Sequence, residues 1–152
     1  MKVLFVCHGN INRSAAAEII LRQTRPEIEV ASCGFARDGA ITARRMREAL
    51  RISGYEQTSL VSRKISSELV HWADVVYYMD NGNQIRLIRQ FGQNPKFVRI
   101  TTLCPDLGLD RVPDPHFYRG TNGVATAHND YVMHLRVIEI LEHCLSQIPE
   151  ST

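Results

Sequence analysis

The stretch Val3–Ser14, VLFVCHGNINRS, carries a short apolar run into a cysteine and ends on arginine and serine. Lys2–Val6 is compact and rich in β-branched residues, the pattern of a buried strand. Gly9–Asn12 then breaks the run with turn residues. Ser14–Gln23 follows as a helix, with Ala15–Ala17, Glu18 and apolar Ile19, Ile20 and Leu21, and Pro26 ends it. Most buried cysteines are small hydrophobes without chemistry. A strand that delivers Cys7 into a polar turn at the start of a helix asks for a different explanation.

Outward from that stretch the same alternation repeats. Ile28–Cys33 suits a second strand, leading into Gly34. Thr42–Ile52 suits a helix, with Ala43, Met46, Ala49 and Leu50 on one stripe and Gly54 as its C-cap. Ser66–Trp72 suits a short helix capped by Ser66 or Ser67, and Asp74–Met79 a third strand. Asn81–Phe91 is read as a helix closed by Gly92, Lys96–Ile100 as a fourth strand, and residues 123–147 as a final helix beyond a proline-containing loop. On that helix Tyr131, Leu135, Ile138 and Leu141 share a face. Strands alternating with helices imply βαβ crossovers and a parallel sheet covered on both sides. With no repeat or linker, residues 1–152 are expected to form one α/β domain.

In an open α/β sheet, ligands sit beyond the carboxyl ends of the strands, close to helix N-termini. Unpaired N–H groups and the helix dipole there favour an anion. The same field lowers a thiol pKa, and a neighbouring arginine lowers it further. Cys7-x5-Arg13-Ser14 thus places a nucleophile, an anion cradle and a planar cationic fork on one turn. Ser14 can hydrogen-bond the thiolate or the leaving thiol. Covalent phosphoryl transfer through a phosphocysteine needs this set. A phosphate ester also needs its leaving oxygen protonated. Asp114, between Pro113 and Pro115 in VPDPHFYRG, is the candidate acid, because the flanking prolines stiffen its loop.

Composition narrows the partners. With 152 residues, 44% hydrophobic and 22% charged, the chain has the make-up of an ordinary soluble protein. A formal charge of +2 is too small to imply nucleic acid or a membrane surface. The apolar run Val3–Cys7 is five residues long, short of the roughly 7–15 of a signal-peptide core. No stretch approaches the ~18 apolar residues of a membrane span. Cys7, Cys33, Cys104 and Cys144 show no metal-like spacing, so free thiols in a reducing cytoplasm are expected. Cys33, Cys104 and Cys144 are read as inert. No metal and no cofactor are expected.

At this point the residues resemble the low-molecular-weight protein tyrosine phosphatases. Their signature V-C-x-G-N-x-C-R-S is matched by Val6-Cys7-His8-Gly9-Asn10-Ile11-Asn12-Arg13-Ser14. Ser32-Cys33-Gly34 is similar to the family's S-A-G, Ser62-Arg63-Lys64-Ile65 to its A-R-Q-I, Met79-Asp80 through Asn83 to its M-D-x-x-N, and Asp114-Pro115 to its D-P loop. The resemblance covers essentially the whole chain. It implies a three-layer α/β/α fold with a four-stranded parallel sheet in order 2-1-3-4. It also implies that Cys7 attacks phosphorus while Arg13 stabilises the transition state. Asp114 would protonate the leaving oxygen and then activate water. Asn10 would hold the loop's shape, Ser14 would assist the sulfur, and His8, Gly9, Ile11 and Asn12 would complete the phosphate loop. The family needs no metal.

Departures from the pattern are informative. Asn12 replaces the second signature cysteine, which removes a thiol that could protect Cys7 as a disulfide. His116 and Phe117 stand where the family has an aromatic that walls the substrate pocket. Leu60 occupies the place of a histidine that ties to the loop asparagine. Phe35, in the substrate-flanking loop, is read as pocket lining or as packing. Arg44, Arg45, Arg47 and Arg51, with Arg37, make a solvated helix face or a docking surface for an acidic or phosphorylated partner. Tyr77, Tyr78 and Trp72 are read as core, His8 as pointing outward, and His128, His134 and His143 as too scattered for a metal site.

The expected function is a metal-free phosphomonoesterase, acting on phosphotyrosine in a phosphorylated protein, from a monomer or weak dimer. Its alternatives are a phosphatase for another phosphomonoester, an arsenate reductase on the same scaffold, and a non-catalytic phosphate-binding module. The reductase needs a relay of further cysteines, which Asn81–Asn94 lacks. A protein-arginine phosphatase would have threonine in place of Ile11.

Overall fold

The computed structural model describes residues 1–115 and 127–150. Four parallel strands run in the order β2-β1-β3-β4, as the resemblance implied. β1 is Lys2–Cys7, β2 Glu29–Gly34, β3 Val75–Tyr78 and β4 Phe97–Arg99. The helices are α1 Arg13–Thr24, α2 Arg44–Ile52, α3 Ser67–Trp72, α4 Asn81–Phe91 and α5 Ala127–Ser146. β1 is central, pairing Val3–Val6 with Val30–Cys33 on one side and Val75–Tyr78 on the other. A strand covered on both faces needs an unbroken apolar run rather than an alternating one. Val3–Val6 supplies it, and all four residues are fully buried.

The two faces of the sheet carry separate cores. On one face Val3, Phe5 and Cys7 pack with α1, with Met46, Ala49 and Leu50 of α2, and with Val137, Ile138 and Leu141 of α5. Phe5 stacks on Tyr77 there, ring centroids 5.9 Å apart. On the other face Leu4, Val6, Cys33 and Tyr78 meet Val70 of α3 and Leu87 of α4. Each fully buried aliphatic or methionine side chain contributes about 1.5–3 kcal/mol, so Met46 and Leu50 are the main anchors of α2 in this core. Ser66 caps α3, accepting a hydrogen bond from the Leu69 amide at 3.2 Å. Tyr77 and Tyr78 are core, as expected, and Trp72 packs at the margin of the second cluster.

The expected boundaries shift in two places for local reasons. α2 begins at Arg44, not Thr42, because Thr42 is spent on Leu60. Its amide and Oγ1 donate to the Leu60 carbonyl and its Oγ1 accepts from the Leu60 amide. The loop after β4 contains two 3-10 turns, Ile100–Leu103 and Pro105–Leu107, the second started by its proline. The start expected for the last helix, residues 123–126, lies outside the described residues, as do His116, Phe117 and the side chains of His128 and Tyr131.

The cysteine expectation needs correction. Cys104 and Cys144 form a disulfide, with their Cα atoms 5.0 Å apart. The turns after β4 bring Cys104 against α5, a meeting of residues 40 apart in sequence that spacing alone does not reveal. Cys7 and Cys33 remain as free thiols.

Candidate active site

β1 ends at Cys7 and α1 opens at Arg13, so residues 8–12 form a loop at the carboxyl edge of the sheet. The loop is pinned from behind. Asn10 is fully buried, and its Nδ2 donates to Ser14 Oγ at 2.8 Å and to Ser32 Oγ at 2.9 Å, while its Oδ1 accepts from the Arg63 amide at 3.1 Å. Ser32 Oγ donates in turn to Glu18 Oε1 at 2.8 Å, and Glu18 also accepts from Arg22. Asn10 sits at φ 55°, a left-handed conformation that asparagine tolerates better than most residues. Gly34 lies against the loop so closely that a Cβ there would stand 2.8 Å from the His8 carbonyl oxygen and 2.9 Å from the Asn10 amide.

This bracing sets the environment of the sulfur. Ser14 Oγ lies 2.9 Å from Cys7 Sγ, and the Asn10 amide donates to the sulfur at 3.3 Å. Ser14 already accepts from Asn10 Nδ2. Its single proton then has two acceptors, the sulfur at 2.9 Å and the more distant Cys33 carbonyl at 3.3 Å. The sulfur thus has one fixed donor, the Asn10 amide, and lies within hydrogen-bond reach of the Ser14 hydroxyl.

Arg13 is buried and doubly anchored. Its Nη1 donates to Asp80 Oδ2 at 2.7 Å and to the Val112 carbonyl at 3.0 Å, and its Nη2 reaches Asp114 Oδ2 at 3.4 Å. The Val112 amide bonds the Met79 carbonyl, which ties the Asp114 loop to the end of β3. Asp80 also caps α4, accepting from the Asn83 amide. Burial pushes the Asp80 carboxyl up, but hydrogen bonds from Arg13 and from the amides of Asn83 and Gly82 outweigh it and hold the group below the usual carboxylate range.

These groups surround a cavity of about 200 Å³ lined by Cys7, His8, Gly9, Ile11, Asn12, Arg13, Ala36, Arg37 and Asp114. The expected nucleophile, fork and acid therefore meet at one opening. Ser14 and Asn10 stand behind the loop instead of lining it. Asn12 Oδ1 is buried without a hydrogen-bond partner among the described residues. Phe35 packs in the second core, with the Arg86 guanidinium 4.9 Å over its ring; Ala36 and Arg37 take the lining place expected of it. His8 is exposed as expected. Cys33 is a poor candidate for thiol chemistry, since burial first and the Cys7 sulfur second push its thiol up. His134 is buried and His143 pairs with Asp106 at 2.9 Å. Among the described residues no cluster of three potential metal ligands occurs, and no helix is long and apolar enough to cross a membrane.

Asp80, Ser32 and Glu18 were not singled out from the sequence as site residues. Asp80 was legible in outline, as the acid of an N-cap at the end of a strand. The Ser32–Glu18 contact joins separate elements and has no sequence signal of its own.

Comparison with known proteins gives the same picture. Residues 2–150 match the family model described as low molecular weight phosphotyrosine protein phosphatase. The chain is 29% identical over 143 residues to low molecular weight phosphotyrosine protein phosphatase 1 of Drosophila melanogaster, covering 87% of this chain and 90% of that protein. Among solved structures, a protein tyrosine phosphatase from Entamoeba histolytica with Hepes in its active site superposes with a TM-score of 0.78 at 29% identity, covering 97% of this chain and 93% of that one. An arginine phosphatase from Geobacillus stearothermophilus shares the fold, with a TM-score of 0.76 at 23% identity over 95% of this chain and 90% of that one. The chain belongs to the low molecular weight phosphotyrosine protein phosphatase family.

Proposed function

We propose that this phosphatase hydrolyses phosphotyrosine in proteins through a phosphocysteine at Cys7, without a metal. One observation carries it: Cys7 Sγ, hydrogen-bonded to the Asn10 amide and to Ser14 Oγ, shares a 200 Å³ cavity with the Arg13 fork and the Asp114 carboxyl. Arg13 commits Nη1 to Asp80 and Val112, and among the described residues its Nε–Nη2 edge has only the long contact to Asp114. That edge matches two phosphoryl oxygens and is positioned before substrate arrives.

The chemistry runs in two displacements. The Cys7 sulfur donates an electron pair to phosphorus, the P–O ester bond breaks, and Asp114 gives its proton to the departing phenolic oxygen. The S–P bond of the phosphocysteine then breaks as water attacks phosphorus and Asp114 takes the water's proton. Inorganic phosphate leaves, and Ser14 Oγ–H and the Asn10 amide receive the sulfur's returning charge. Arg13 holds the equatorial oxygens in both steps.

Ile11 lines the cavity with an apolar side chain, which suits an aryl leaving group better than a guanidinium. A phosphorylated protein is the expected partner. A reducing cytoplasm would keep Cys7 in its thiol form, and the Cys104–Cys144 pair, wholly buried, would be shielded from reductant there. The test is hydrolysis of an aryl phosphate by the native protein and by Cys7→Ser. Turnover by the first and none by the second supports the proposal. Phosphate binding with no turnover by either means a binding module.

A further inference from the structure

The rim of the cavity carries charge that the two displacements do not use. Arg37 is exposed, lines the opening, and has no carboxylate partner among the described residues. Its loop is held rigidly: the Phe35 and Ala36 amides both donate to the His8 carbonyl, at 2.8 and 3.0 Å. Buried Ser62 bridges the loop, donating through Oγ to the Arg37 carbonyl at 3.1 Å and accepting from the Ala40 amide at 2.9 Å. Asp38, the nearest acid in sequence, points its Oδ1 at the Lys64 amide, 2.8 Å away. Arg86 stands beside His8, Nη1 to Nδ1 3.4 Å, and lies over the Phe35 ring. An aromatic face orients a guanidinium without neutralising it. Arg37 at the opening and Arg86 beside His8 of its lining are thus two placed cations with no carboxylate partner among the described residues.

We infer that Arg37 and Arg86 form an anion-reading rim that selects phosphotyrosine flanked by aspartate or glutamate. This rests on the phosphotyrosine reading above and names the class of peptide that the same site prefers. Solvent-exposed pairs of this kind are individually weak and screened by salt, and they act mainly on partner choice and encounter.

The experiment compares phosphotyrosine peptides with acidic, neutral and lysine flanks. At low ionic strength the native protein is expected to favour the acidic peptide over the neutral one by about tenfold in kcat/KM. Arg37→Ala and Arg86→Ala should each cut that ratio about threefold. Arg37→Lys should retain most of it, Arg37→Glu should favour the lysine peptide, and added salt should flatten all the ratios. Anisotropy of the same labelled peptides on Cys7→Ser reads the rim independently of turnover. Acidic and neutral peptides that bind and react alike, or a preference that survives Arg37→Ala with Arg86→Ala, would overturn the inference. So would an equal preference for small bisphosphates without a peptide. An inert native protein whose Cys7→Ser form still ranks the peptides by charge would overturn the phosphatase reading and leave the rim standing.

Discussion

Replacing Asn10 by alanine tests how the phosphate loop is held. The change removes three hydrogen bonds from a fully buried side chain, to Ser14, Ser32 and the Arg63 amide. At about 1 kcal/mol net for each they account for roughly 3 kcal/mol. Alanine at φ 55° adds about 1 kcal/mol that asparagine largely avoids. The expected loss is about 4 kcal/mol, a large share of the 5–15 kcal/mol by which a typical domain is stable. Asn10→Gly should recover about 1 kcal/mol of it, because glycine removes the backbone term and leaves the hydrogen-bond term. Turnover should fall as well, since Ser14 loses the donor that turns its own proton toward sulfur. A charge-assisted hydrogen bond of about 1.5–3 kcal/mol corresponds to roughly 10–100-fold in kcat. Urea denaturation gives the first quantity and aryl phosphate kinetics the second. Asn10→Ala within 1 kcal/mol of the native protein, with undiminished kcat, would refute the bracing role.

Asp114→Asn should slow esters of poor leaving groups by about 100-fold or more while barely touching activated aryl phosphates; equal slowing, in a plot of kcat against leaving-group pKa, removes Asp114 from the acid role. The Asp80 carboxyl is held below its unfolded value, so its contribution is complete above the ordinary carboxylate range and is lost as pH falls through the folded value. Asp80→Asn should accordingly flatten the acid limb of a stability-against-pH curve, and an unchanged limb would contradict the Arg13–Asp80 pairing. Replacing Cys144 by serine should cost about 4 kcal/mol for a closure of 40 residues in the chain-entropy picture; a Cys144→Ser protein that melts with the native one would show that the bond does not form in solution.

Much of the site was legible because it is local. Cys7 to Ser14 is one strand end, one turn and one helix start, so the sequence itself holds the nucleophile, the loop and the fork together. The four strands and the helices α1 to α4 were foreseeable from apolar runs and caps, with boundaries moved by a residue or two. Thr42 shows why: its pairing with Leu60 is tertiary and overrides a good helical pattern. The same limit hid the Ser32–Glu18 support and the Arg13–Asp80 anchor, whose partners lie 14 and 67 residues apart. Leu60 has no polar group to fasten Asn10; Ser14, Ser32 and the Arg63 amide supply the fastening. Phe35 could be read either way from sequence, and its ring is claimed by the second core and by Arg86.

Acid quenching during turnover of an aryl phosphate, followed by mass spectrometry of the peptide containing Cys7, tests the covalent intermediate most directly. Phosphate attached to Cys7 sulfur, appearing and decaying at rates compatible with turnover and absent in Cys7→Ser, is the expected result. Steady turnover with Cys7 never phosphorylated, or equal turnover by Cys7→Ser, would contradict it.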